Sequence, residues 1–225
     1  MAERTNRRYS SALRQENAEA TRLRIIEAAR EVMLERGYAA TTMAEVAARA
    51  GVAVQTLYAS SPGGKSALAR TVYDTTLAGD AQPIPQSARP EVQAIIDEPD
   101  PVRKLERYAA MASGINGRVL PVDRLLRAAA AADADAAELV ARAEQQRLTG
   151  SRGPAEHLAS LGLLRPGLTA ERAAAQIYVL SAPEILGQLT GTCGWSTPEY
   201  QQWLAQVLVD TLLDPHEPNG RPTQE

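Results

Sequence analysis

Apolar positions along this chain recur at helical spacing and nowhere alternate, so the pattern predicts helices and no strands. Between Ala18 and Arg36, the residues Ile25, Ala29, Val32 and Met33 fall at i, i+4, i+7 and i+8, one face of a 3.6-residue repeat. Gly37 stands where such a helix ends. Thr42 with Glu45 three residues later forms a capping-box pair and opens a second helix over Met43–Arg49. Gly51 supplies a turn, and a third short helix covers Val54–Ser60. Pro62-Gly63-Gly64 break the chain before a fourth helix, Lys65–Leu77. Residues 81–90 carry three prolines and read as a connector. Helical patterning resumes over 90–97, 101–118, 122–131, 134–162, 169–189 and 196–213. Pro101, Pro121, Gly162, Pro166-Gly167 and Gly194 mark the breaks. The expectation is an all-α chain: a flexible basic arm (1–16), a small domain (17–80), a larger helical body (81–213) and a disordered tail (214–225).

Composition narrows the class. The chain has 225 residues, is 44% hydrophobic and contains no Phe, which suits a globular helical protein. A single cysteine, Cys193, rules out an internal disulfide and fits a reducing cytoplasm. The N-terminus has no apolar core, so no signal peptide is expected. No apolar run reaches the ~20 residues that span a bilayer, so no membrane partner is expected. The formal net charge is −3, but it is uneven: residues 1–80 hold 11 Lys+Arg against 9 Asp+Glu, and the remainder is acidic. Six of the first 24 residues are Arg. A basic end on an acidic body points to a polyanion as a partner.

Gly63-Gly64-Lys65-Ser66 resembles the end of a phosphate-binding P-loop. A P-loop places another glycine five residues before Gly64 and follows a buried strand. Here Ala59 holds that position and a helix precedes it. Two short helices around a glycine turn instead follow the helix-turn-helix plan. Ala47 is small enough for the helices to approach, Gly51 takes the turn, and Leu57 faces the core with Val52. The second helix then has a face open to a major groove. Gln55 suits adenine, Thr56 a thymine methyl or a phosphate, and Tyr58 the backbone. Thr42 and Lys65, each at a helix start, offer phosphate sites.

Residues 22–70 resemble the DNA-binding domain of TetR-family transcriptional regulators. The resemblance rests on Ala28-Ala29, Gly37-Tyr38, Thr41-Thr42, Val46-Ala47, Ala50-Gly51-Val52, Thr56-Leu57-Tyr58, and Lys65 with Leu68. It implies DNA contacts from Thr41, Thr42, Val54, Gln55, Thr56, Tyr58 and Lys65. Two departures stand out. Ala53 replaces the family's usual Ser before the recognition helix and removes an N-cap of about 1 kcal/mol. The family's Tyr-x-x-Phe-x-x-Lys becomes a stretch with Ser61 at the aromatic position and one residue more before Lys65.

The resemblance also implies a C-terminal ligand-binding and dimerisation body. Tyr108, Met111, Ile115, Arg118, Leu126, His157 and Tyr178 are the candidate ligand residues. Ile177, Leu180, Ile185, Trp203 and Val207 are the candidate dimer interface, because the last two predicted helices are apolar on more than one face. Cys193 is either an oxidant sensor or a bystander. Two histidines, His157 and His216, and one cysteine offer no metal-ligand cluster and no nucleophile–base motif, so neither metal, cofactor nor catalytic residue is expected. The function expected is a cytoplasmic, homodimeric, ligand-responsive repressor that binds palindromic double-stranded DNA and is released by a small molecule. The alternative is a helical sensor or scaffold of the same fold without specific DNA binding, and a small nucleotide-binding enzyme rests on the glycine-lysine stretch alone.

Overall fold

A computed structural model describes residues 2–80, 82 and 84–214 of the chain, with side chains from residue 16 onward. Every described α-helix can be traced to a sequence cause. Helix α1 spans Ala2–Ala40, so the segment expected as an arm is helical from Ala2. Gly37 interrupts α1 with φ 79° and ψ 164°, a conformation only glycine adopts without strain. Helices α2 (Met43–Ala50), α3 (Val54–Ser60) and α4 (Gly64–Ala78) follow. The remaining helices are α5 (Pro90–Ile96), α6 (Pro101–Ala130), α7 (Ala134–Ser160), α8 (Ala170–Leu180), α9 (Pro183–Gly191) and α10 (Thr197–Leu212). Among the described residues the only β feature is an isolated antiparallel bridge between Leu164 and Leu213. The tail from residue 215 lies outside the described residues.

Two breaks differ from the sequence reading. Pro121 sits inside α6, so the stretches expected at 101–118 and 122–131 are one helix. Proline there removes one backbone donor, and the burial of Val119, Val122 and Leu126 on either side carries the helix across. Conversely, the stretch expected at 169–189 is two helices. Ala182 precedes Pro183 and is extended (φ −69°, ψ 138°), because the proline ring crowds the helical conformation of its predecessor.

The chain divides into two compact units. The first is Met1–Ala81 with Pro121–Val140, and the second is Gln82–Leu120 with Ala141–Glu225. The expected single boundary after residue 80 therefore gives way to a division in which part of α6 and α7 joins the N-terminal unit. In the first unit Ile25, Ala29, Val32 and Met33 are buried as their spacing predicts, together with Val46, Leu57 and Leu68. Each fully buried large side chain contributes about 1.5–3 kcal/mol. In the second unit Leu105, Leu158, Ile177, Tyr200, Leu204 and Leu208 share one core.

Candidate nucleic-acid interface

The helix-turn-helix is built from two differently capped helices. At the start of α2, Thr42 Oγ1 accepts the Glu45 N–H at 3.2 Å, and Thr42 N–H donates to Glu45 Oε2 at 3.3 Å. This is the reciprocal pair the sequence predicts. Gly51 ends α2 in the left-handed region (φ 66°), and the Val52 N–H returns to the Ala47 carbonyl at 3.0 Å. Arg49 ties α2 to α1 through Glu35 at 2.8 Å and Glu31 at 3.1 Å. Its hydrogen bonds hold the Glu35 carboxyl below the ordinary range.

Helix α3 is short and held by one side chain. Leu57 is its sole buried residue. Around it Val54 (42%) and Tyr58 (50%) are exposed, as are Gln55 and Thr56. The sequence-predicted recognition residues thus share a free helix surface. Ala53 has the extended backbone of an N-cap but makes no side-chain cap bond. Thr42 is exposed at the start of α2. Thr41 is not: it is buried, and its hydroxyl donates to the Gly37 carbonyl at 2.8 Å. It satisfies an acceptor beside the α1 interruption, so its expected place among DNA contacts is corrected.

The glycine pair after α3 has a geometric cause unrelated to nucleotide binding. Gly64 has φ +65°, and a Cβ on Gly63 would lie 2.6 Å from the Ala67 methyl. Ser61 is buried, donates its N–H to the Leu57 carbonyl at 2.9 Å, and accepts the Gly64 N–H at 3.0 Å. Lys65 then turns back on the chain. Its Nζ donates to the carbonyls of Tyr38 (3.2 Å) and Ala39 (3.4 Å) and lies 4.3 Å from the centre of the Tyr38 ring. Burial, with the charges of Asp133 and Asp135, pushes the Tyr38 phenol up to about 12.

Residues 25–70, which hold all of this geometry, match the family model described as bacterial regulatory proteins, tetR family. These residues are therefore similar to the N-terminal domain of that family. Its overall fold extends the likeness over nearly the full chain. NalD of Pseudomonas aeruginosa, the secondary repressor of the MexAB-OprM multidrug efflux pump, is 18% identical, with 88% of this chain and 99% of that chain covered and a TM-score of 0.62. SmeT in complex with triclosan is 16% identical, with 90% and 100% covered and a TM-score of 0.65. The fatty acid degradation regulator FadR of Bacillus halodurans is 17% identical, with 83% and 93% covered and a TM-score of 0.62. No curated protein sequence matches the chain.

In the second unit, two of the predicted ligand residues, Tyr178 and Tyr108, each interact with Arg147. Arg147 donates to the Tyr178 carbonyl at 2.8 Å, and its guanidinium carbon lies 4.2 Å from the Tyr178 ring centre. Burial pushes the Tyr108 phenol up, opposed by a hydrogen bond with Ser181 and by the charge of Arg147. Asn116 donates to the Ser181 carbonyl at 2.9 Å and reaches the Tyr200 hydroxyl at 3.4 Å. Met111 and Ile115 are half-buried on α6, and Arg118 is exposed. Leu126 is buried in the first unit and does not join them. His157 Nε2 lies 3.2 Å from Lys104 Nζ, which is buried and also donates to the Ile95 and Ile96 carbonyls at 2.7 Å each. Desolvation holds the Lys104 ammonium below the ordinary lysine range, opposed by the charges of Glu98 and Asp97. Arg147, Asn116, Ser181, Tyr200 and Lys104 were not legible as a group, because no local pattern marks a buried polar residue whose partner is dozens of residues away.

Of the predicted dimer residues, Ile177 is fully buried within its own unit, where α8 packs on α10, and is corrected to core. Leu180, Ile185, Trp203 and Val207 remain partly exposed. Val179, two residues after Ile177, is the exposed large apolar residue of α8 at 57%. Cys193 is a free, exposed thiol. Among the described residues no helix is long and apolar enough to cross a membrane, and no cluster of His, Cys, Asp and Glu is placed to hold a metal ion.

Proposed function

We propose that the protein is a cytoplasmic, homodimeric transcriptional repressor that binds a palindromic operator through α3 and is released by a small molecule held in the second unit. The observation that carries this reading is the surface of α3. A helix anchored by Leu57 alone displays Val54, Gln55, Thr56 and Tyr58, and a major groove about 12 Å wide admits one helix. Gln55 pairs with adenine, Thr56 and Val54 meet thymine methyls, and Tyr58 and Thr42 take phosphates. Two such helices on one operator require a two-fold dimer. The partly exposed apolar residues Leu180, Ile185, Trp203 and Val207, with Val179, supply a self-complementary surface for it.

The ligand half of the proposal rests on the half-buried polar group of Tyr108, Arg147 and Tyr178 in the second unit, with Met111, Ile115 and His157 on the same helices. The fold neighbour SmeT was solved with triclosan bound, which supports a small-molecule role for such a body. Release is a population shift, so the ligand binds the form with wrongly spaced recognition helices better than the DNA-binding form. The reading gives the chain no catalytic residue, cofactor or metal.

Selection of duplexes from a random pool by the folded, purified protein tests the proposal. An enriched palindrome at moderate salt is expected. Absence of enrichment would overturn it in favour of a helical sensor or scaffold without DNA binding.

A further inference from the structure

The Lys65 ammonium sits at the junction of two helices that share no covalent neighbour. A lysine has three N–H donors and no acceptor. Two of those donors meet the Tyr38 and Ala39 carbonyls, and the Tyr38 ring faces the charge at 4.3 Å. The carbonyls belong to the short stretch after the Gly37 interruption, and the Tyr38 carbonyl also accepts the Thr41 N–H at 3.3 Å. The ammonium supplies a further donor to Tyr38 and one to Ala39.

Ser61, Pro62, Gly63 and Gly64 bring no large apolar side chain to the junction, and the first buried apolar residue of α4 is Leu68. Lys65 is on the first turn, before Leu68. The loop it fixes is bonded directly to α3, through the Ser61 N–H on the Leu57 carbonyl. Leu57 is the one residue that seats α3. A shift at Lys65 is therefore passed to the tilt of the recognition helix through two hydrogen-bonded steps.

We propose that Lys65 is a positioning residue: it pins α4 to the end of α1, sets the seat of α3, and contacts no DNA phosphate. The functional half of this inference rests on the DNA-binding reading above. It departs from the phosphate role that the resemblance implies for this lysine, and the two roles predict different salt dependence. Each phosphate neutralised by a lysine adds about 0.9 to the slope of log affinity against log salt. A phosphate-binding Lys65 in a two-fold dimer would contribute about twice that.

The experiment uses Lys65→Met, which keeps the stem and removes the donors and charge. Binding to the selected operator is measured from low to moderate salt, at a temperature where both proteins are fully folded by circular dichroism. The pin predicts a lower Tm, an affinity about tenfold weaker at every salt concentration, and an unchanged slope. A slope reduced by about two units with an unchanged Tm overturns the pin in favour of phosphate contact. Unchanged affinity in the folded variant overturns the positioning role. If Lys65→Met does not fold, Lys65→Gln keeps one neutral donor and is judged by the same slope. If the wild-type protein binds no duplex, the DNA-binding reading fails separately, and the Tm alone decides the pin: an unchanged Tm overturns it.

Discussion

The first unit carries the side chains proposed for its partner on an exposed helix surface, whereas the second carries them half-buried among its helices. Val54, Gln55, Thr56 and Tyr58 project from a seven-residue helix whose hold on the protein is Leu57. Tyr108, Arg147 and Tyr178 belong to a body in which hydrogen bonds join residues 31, 65 and 84 positions apart. A displayed surface needs only one anchor and a correct turn. A half-buried polar group shared between helices needs several of them in register at once. The two units should therefore fail in different ways when single residues are removed.

The sharpest way to break the contrast is at its anchor. Leu57→Ala leaves a cavity under α3, and such truncations cost about 2–5 kcal/mol. The expected outcome is a large drop in the urea midpoint together with loss of operator binding, measured by denaturant titration and by fluorescence anisotropy. Retained binding at wild-type affinity would mean that α3 does not depend on that seat. Next in size is the face proposed for the partner subunit. Val179→Glu introduces a charge on a residue already 57% exposed, so the folded subunit should be nearly unaffected. If α8 lies in the dimer interface, the buried carboxylate opposes association. Sedimentation velocity should then show monomers at concentrations where the parent protein is dimeric.

Asn116→Ala tests the interior of the second unit. It removes the donor to the Ser181 carbonyl, at the break between α8 and α9. An unsatisfied buried acceptor costs about 1–3 kcal/mol. The stability loss should appear without change in operator affinity measured in the absence of ligand, which would separate the two units functionally.

This contrast also explains what was legible. Helices α1–α4 were readable because their signals are local: Thr42 with Glu45, Gly51, and the 3.6-residue stripe on α1. The surface of α3 followed from the same short stretch. Thr41 was misplaced because its exposure depends on the kink at Gly37, whose carbonyl takes the hydroxyl. The carbonyl contacts of Lys65 were not legible because their acceptors lie 26 and 27 residues upstream. In the second unit, Ile177 looks like any apolar residue on a broad stripe, and only packing against α10 makes it core. The break at Ala182 was local after all, since Pro183 marks it, but the apolar run on either side masks it. Pro121 shows the converse, a strong local breaker overridden by burial of its neighbours.

The smallest expected effect addresses the one weak point of the displayed helix. α2 begins with a full capping box, whereas α3 begins at Ala53 with the right backbone (φ −66°, ψ 146°) and no side-chain acceptor. Ala53→Ser supplies the hydroxyl without disturbing that geometry. A serine N-cap is worth about 1 kcal/mol, so the urea midpoint should rise modestly. Because the bonus accrues to α3 itself, it should also order the recognition helix before DNA arrives and tighten operator binding by up to several-fold. The salt slope should stay constant, since no charge is added. A higher midpoint with unchanged affinity would mean that α3 is already fully ordered by Leu57 and the Lys65 junction. A lower midpoint would mean that the turn between Gly51 and Val54 has no room for the serine hydroxyl, and that Ala53 is required there by packing.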